Sequence, residues 1–351
     1  MSTVDALRIF LPAVITFLFG IGLTPILTYL LYKHHFWKPR GGKIALDGTV
    51  ATTFNSLHKA KEVGTPRAGG VIVWVSVLAT AVLLYFLSKL SPGSFDALAF
   101  ISRSQTWVPL AAFLVGAIVG LLDDFFEVRG RGGLPLRIRL VGVAVIAALC
   151  AWWFYTKLGV SSISFFDPIT TLHLGLWFIP FFIFTALFLY AGGVIDGVDG
   201  LAGGIFAIIF AAYGALAFFQ NQMDLAGLCA AITGGLLAFL WYNIPPARYY
   251  LSETGTMGLT IALVVVAFLT DLGGEGKGVL VLPIIALPLV VTVFSNVVQI
   301  TSKKIFKRKF FRIAPLHHHF EAIGWPAYKV TMRYWIVGVI AATIGLGLAL
   351  L

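Results

Sequence analysis

The residues of this 351-residue chain best suited to chemistry are carboxylates set where apolar runs end. Asp123 and Asp124 are adjacent in GLLDDFFEVRG and follow the uncharged run TWVPLAAFLVGAIV. Neighbouring carboxylates repel each other and are costly beside hydrocarbon, so such a pair suggests a held proton or a hard cation. Arg129, Arg131, Arg137 and Arg139 follow closely. Guanidiniums beside carboxylates suit a phosphate-bearing, metal-bound substrate. In GGVIDGVDGLAGG, Asp196 and Asp199 are three apart. In a helical turn they would share a face. Gly197 and Gly200 would keep that turn open to a ligand. The stretch WYNIPPARYYLSETGTMG adds Asn243, Tyr250 and Glu253. Tyr250 is either an interfacial aromatic or a platform for a nucleobase.

Two further stretches carry donors. RIAPLHHHFEAIGWP holds His317, His318 and His319. Zinc is not the expected ligand: no Cys or His partner sits at ligand spacing, and three successive helical residues cannot all turn to one ion. A hydrogen-bonding loop for anionic or polar substrate groups is expected instead. HKAKEVGTPRAGG, residues 58–70, offers His58, Lys61 and Arg67 to phosphate, or is an ordinary basic juxtamembrane loop.

The elements that position these groups follow from composition. The chain is 59% hydrophobic and 11% charged, where a soluble domain has roughly 25% charged residues. With a mean hydropathy of +0.94, it is an integral membrane protein. A spanning helix needs about 20 mostly apolar residues. Ten stretches qualify, near 7–32, 69–90, 106–122, 139–155, 172–191, 201–219, 225–242, 255–270, 279–300 and 328–351. Pro283 and Pro288 predict a kink or break in the ninth. The first stretch is too long for a signal peptide and has no clear small-residue cleavage site, so it is expected to remain as an anchor. Cys150 and Cys229 lie in apolar runs, which argues against a disulfide or a thiolate metal site. Residues 1–351 are expected to form a single transmembrane domain.

Ten spans sort the loops into two sets. One set, with the start of the last helix, holds 20 of the 25 Lys and Arg residues. The positive-inside rule assigns that set to the cytoplasm and both termini to the outside. Asp123, Asp124, Asp196, Asp199, Glu253 and the histidine run fall on the same side. Chemistry is therefore expected at the cytoplasmic face. A secondary transporter also has intramembrane carboxylates and broken helices, but its sites usually lie near the midplane.

Four motifs occur in order: DD at the end of an early span, D-G-x-D-G-L-A, an N-x-x-P-A stretch leading to a Gly-rich turn, and A-P-L-H-H-H-F-E before the last span. Together they resemble the polyprenyl-phosphate N-acetylhexosamine-1-phosphate transferase superfamily, across nearly the whole chain. The histidine motif is most similar to the phospho-N-acetylmuramoyl-pentapeptide transferase family. The resemblance implies an all-α polytopic membrane enzyme. It would transfer phospho-N-acetylmuramoyl-pentapeptide from its UDP donor to undecaprenyl phosphate, giving lipid I and UMP, with Mg2+ as cofactor. It implies these two substrates and the lipid bilayer as partners, no nucleic acid, and leaves a homodimer open. Asp123, Asp124, Asp196, His317, His318 and His319 would be catalytic. Lys61, Arg139, Asp199, Asn243 and Tyr250 would bind substrate, and Glu253 and Asp196 would hold the metal. Three positions depart from the usual pattern: Glu253 replaces Asp, while Tyr190 and Gly193 replace Asn. The stretch TPRAGG resembles instead the branch that transfers N-acetylglucosamine-1-phosphate, which is the alternative enzyme reading.

Overall fold

The computed structural model describes residues 3–42, 52, 55–56, 58, 62–91, 96–102, 105–164, 171–271 and 276–351. Eight long helices come first: α1 Thr3–Lys33, α2 Gly70–Leu90, α3 Trp107–Phe126, α4 Leu136–Lys157, α5 Phe178–Gly192, α6 Leu201–Phe219, α7 Met223–Asn243 and α8 Ser252–Leu269. The broken pair α9 Gly278–Ile285 and α10 Leu287–Phe306 follows, then the short α11 Leu316–Ala322 and the final α12 Ala327–Leu350. Among the described residues, ten helices are long and apolar enough to cross a membrane. Strand is confined to a small antiparallel pair, Ser162–Ser164 with Thr171–His173. The protein is an all-α polytopic membrane protein, as expected.

The ninth stretch is broken where the prolines require it. Ala286 leaves helical geometry at φ −93°, ψ 23°. Pro288 then falls in the first turn of α10, where its missing N–H is tolerated. The helix restarted there runs six residues past the expected end at 300, to Phe306.

The core forms around α8. This helix is apolar on every side from Ile261 to Leu269 and is buried along almost its whole length, as expected for a helix enclosed by others. It packs against α2, α3, α4, α5, α6 and α9, with its most extensive contact on α3. Small residues permit that approach: a Cβ on Gly120 would overlap the Glu253 carbonyl oxygen. The absence of a side chain at Gly120 therefore brings the end of α3, with its two aspartates, against the start of α8, with Glu253. Many apolar side chains of α1, α4 and α12 are exposed, including Phe10, Leu149 and Ile336. They suit a lipid surface.

Candidate active site

A cavity of about 300 Å³ opens at the end where these termini meet. That size is at the lower end of small-molecule sites. Its wall carries Glu62, Asp123, Glu127, Asp196 and Glu253, with Lys38, His58, Arg67, Arg139 and Tyr250. These residues come from loops and helix ends that alternate spans bring to one side, so the sequence grouping of motifs at one face holds in space.

The two adjacent aspartates have different surroundings. Asp123, 3% exposed, lines the cavity. Its Oδ1 accepts a 2.5 Å bond from Leu134 N, and its Oδ2 lies 3.7 Å from Arg139 Nη1. The backbone returns to it through Gly130, Gly132 and Gly133, all near φ +76°, which only glycine adopts readily. Asp124 is fully buried and outside the cavity wall. Its Oδ2 accepts bonds from Ser252 Oγ at 2.6 Å, Thr254 N at 3.0 Å and Thr254 Oγ1 at 2.5 Å. Asp124 thus ties α3 to the first turn of α8.

Asp196 also lines the cavity, and its Oδ2 accepts Ser252 N at 2.6 Å. Asp199 does not share that face, contrary to the helical-turn expectation. Asp196 sits at φ −74°, ψ 68°, outside helical geometry, so the three-residue spacing no longer stacks the pair. Asp199 Oδ2 accepts Ala247 N at 3.3 Å instead. Gly197 lines the cavity, and the space a Cβ would take is occupied by the histidines: it would lie 2.5 Å from His318 Nε2 and 3.1 Å from His317 Nε2. Asn243 is buried behind the wall. It accepts Gly200 N at 2.9 Å and donates to Tyr249 O at 2.7 Å, linking the D-G-x-D-G turn to the loop before α8.

Arg139 bridges two carboxylates, with Nη1 2.5 Å from Glu253 Oε1 and on the Asp123 side of the cavity. Glu253 Oε2 accepts a 3.2 Å bond from the Tyr190 hydroxyl. Arg67 Nη1 lies 2.5 Å from Glu127 Oε2 and 3.6 Å from Asp124 Oδ1. Burial works against the Arg67 charge, but Glu127, Asp124 and Glu62 outweigh it and raise its pKa further. Burial pushes the Tyr250 phenol up to about 12, so it stays protonated. Lys61 lies outside the described residues.

The histidines separate into two environments. His317 and His318 are buried under the D-G-x-D-G turn. His318 Nδ1 is 2.8 Å from Glu321 Oε2, and His58 Nε2 reaches the same oxygen at 3.0 Å. Burial raises the Glu321 carboxyl, but its bonds to His318 and His58 dominate and hold it at about 2. His319 faces away, accepts Arg312 N at 3.2 Å and has its pKa lowered by burial and by Arg312. The histidine run has no partner at ligand spacing in the sequence, but it gains one in space: His58 and Glu321 bring their ligand atoms and that of His318 within 4.8 Å of one another. His58 is 260 positions away in sequence, so local spacing could not show it.

A second group fits a hard cation. Asp123, Asp124 and Glu127 offer oxygens within 4.8 Å of one another. Asp124 Oδ1 is buried without a hydrogen-bond partner. Oxygen donors of this kind suit Mg2+ rather than a thiophilic metal. Lys38, Glu62, Glu127 and Ser252 were not singled out from the sequence. Lys38 Nζ lies 3.3 Å from Glu62 and 3.0 Å from Glu127, joining the segment after α1 to the end of α3. Only Glu127 left a local sign, three residues beyond Asp124 on the same helix end.

Comparison with known proteins agrees with this arrangement. Residues 106–271 match the family model described as glycosyl transferase family 4, which covers both aspartate motifs, Asn243 and Glu253. The phospho-N-acetylmuramoyl-pentapeptide-transferase of Thermoanaerobacter sp. (strain X514) is 31% identical over 338 residues, 95% of this chain and 96% of its own length. The protein of that name from Geobacillus sp. (strain WCH70) is 31% identical over 343 residues, 96% of each chain. The one from Chloroflexus aurantiacus (strain ATCC 29366 / DSM 635 / J-10-fl) is 31% identical over 310 residues, 83% of this chain and 78% of its own. The chain carries the glycosyl transferase family 4 domain and belongs to the phospho-N-acetylmuramoyl-pentapeptide-transferase family.

Proposed function

We propose that this protein transfers phospho-N-acetylmuramoyl-pentapeptide from its UDP donor to undecaprenyl phosphate, giving lipid I and UMP, at the cytoplasmic face of the bacterial inner membrane. The observation that carries this reading is the one-ended cavity, walled by carboxylates and cations, in a chain matching transferases of that name end to end. A polyprenyl phosphate arrives from the bilayer and a nucleotide sugar from the cytoplasm, and a cavity at the membrane boundary is where both can reach.

In the reaction, an oxygen of the lipid phosphate bonds to the sugar-bearing phosphorus. The bond from that phosphorus to the bridging oxygen breaks, and UMP leaves with the electron pair. Asp123 faces the cavity as the group that orients the lipid phosphate or takes its proton. Arg139, between Asp123 and Glu253, and Arg67, between Glu127 and Asp124, are placed to exchange carboxylate for phosphate oxygens. Tyr250 offers an aromatic face to uracil, and Lys61 a further cation to phosphate. Asp199 and Asn243 act from behind the wall by fixing the D-G-x-D-G turn. Asp123, Asp124 and Glu127 would hold Mg2+, with Asp196 and Glu253 on the cavity wall beside Asp123 as further candidate ligands; once bound, the ion would neutralise the diphosphate and improve UMP as leaving group. Positioning and charge stabilisation carry most of the rate in such transfers. His317 and His318 act from behind the wall by packing beneath Gly197.

The reading is tested by incubating detergent-purified protein with UDP-N-acetylmuramoyl-pentapeptide and Mg2+. UMP release that requires undecaprenyl phosphate supports transfer. UMP release independent of lipid, or none with both substrates, contradicts it.

A further inference from the structure

Tyr190 and Glu253 meet in space: the Tyr190 hydroxyl donates to Glu253 Oε2 at 3.2 Å. Arg139 Nη1 holds the other oxygen at 2.5 Å. Glu253 and Arg139 line the cavity, whereas Tyr190, 6% exposed, lies behind them near the end of α5. Glutamate has one more rotatable bond than aspartate, so its carboxylate reaches further and has more rotamers to restrict. A phenol on one oxygen and a guanidinium on the other hold that longer arm in a single orientation at the cavity wall.

We propose that Tyr190 is a positioning residue that acts through Glu253, and that the two work as a pair. Tyr190 fixes the long Glu253 arm so that its carboxylate would serve a divalent cation and the diphosphate. An aspartate at 253 would draw back by one methylene and lose the phenol. The pairing rests on the transferase reading for its role in catalysis, but its effect on cation binding is measurable without substrate.

The test is Mn2+ binding to the full-length, detergent-purified protein, followed by electron paramagnetic resonance, for wild type, Tyr190→Phe, Glu253→Asp and the double variant. Partners that orient metal ligands are typically worth about tenfold or more in affinity. Tyr190→Phe is expected to weaken Mn2+ binding by about that factor and to lower kcat with little change in KM for the UDP donor. The double variant should be no worse than Glu253→Asp alone, because the bond is already lost. Wild-type affinity in Tyr190→Phe, or losses that multiply in the double variant, would overturn the pairing. If Tyr190→Phe melts early, Glu253→Asp carries the test by itself: it keeps the charge, so unchanged affinity contradicts the proposal. Wild-type protein that binds Mn2+ with the expected variant pattern yet transfers nothing would sink the transferase reading and leave the pairing intact.

Discussion

Ser252 Oγ donates a 2.6 Å hydrogen bond to Asp124 Oδ2, and Ser252 N donates at the same distance to Asp196 Oδ2. One residue at the start of α8 thus joins the end of α3 to the D-G-x-D-G turn. Ser252 adopts φ +53°, a left-handed conformation uncommon for a residue with a side chain. Such a conformation persists where surrounding bonds fix it.

The division of labour between the adjacent aspartates has a measurable consequence. Asp123→Asn removes a cavity-facing carboxylate and is expected to lower turnover by about a hundredfold or more with little change in Tm. Asp124→Asn disturbs a buried acceptor of three bonds. It should lower both turnover and stability, the latter by about 1–3 kcal/mol. Thermal melting beside steady-state rates separates the two. Equal Tm values in both variants would remove the clamp role from Asp124.

Gly197→Ala tests the contact between the D-G-x-D-G turn and the histidine helix. A Cβ 2.5 Å from His318 Nε2 forces one of them to move. Overpacking of this kind costs about 1–3 kcal/mol. A lower Tm and a loss of transfer are expected, and His318→Ala should cost less Tm in the Gly197→Ala chain than in wild type, where it also removes the bond to Glu321. Strictly additive losses would mean that the clash lies elsewhere.

The pH dependence of stability should carry the Glu321 signature. Its carboxyl is held at about 2, below the ordinary 4.5, by the bonds to His318 and His58. A depressed acid contributes stability above its unfolded value and loses it as pH falls through the folded one. Wild type should therefore be more stable than Glu321→Gln above about pH 4.5, with the gap closing toward about pH 2. Melting curves across that range measure it. A gap that widens on acidification would reverse the assignment.

Much of the architecture was legible because hydrophobic runs of spanning length and a one-sided Lys and Arg distribution are local properties. The break at Ala286 was legible for the same reason, since Pro283 and Pro288 act on their own helix. The candidate site was readable as motifs at one face. Which side chains line it was not. Asp123 and Asp124 are neighbours, yet they diverge because successive helical residues point about 100° apart. The Asp196 and Asp199 pair failed as a shared face because Asp196 itself leaves helical geometry and Gly200 turns left-handed at φ +75°. His58, Glu321 and Tyr190 acquire their partners only through tertiary packing, which spacing cannot encode.

The central claim is the donor. Purified protein offered UDP-N-acetylmuramoyl-pentapeptide and UDP-N-acetylglucosamine in parallel, each with undecaprenyl phosphate and Mg2+, should strongly prefer the pentapeptide substrate. The exposed cationic segment from Lys304 to Arg312 supplies donors that a lactyl-peptide can engage and a bare sugar cannot. Mass spectrometry of the lipid product identifies which sugar was transferred. Lipid-linked N-acetylmuramoyl-pentapeptide as the dominant product is the expected result; a dominant N-acetylglucosamine product would contradict the account.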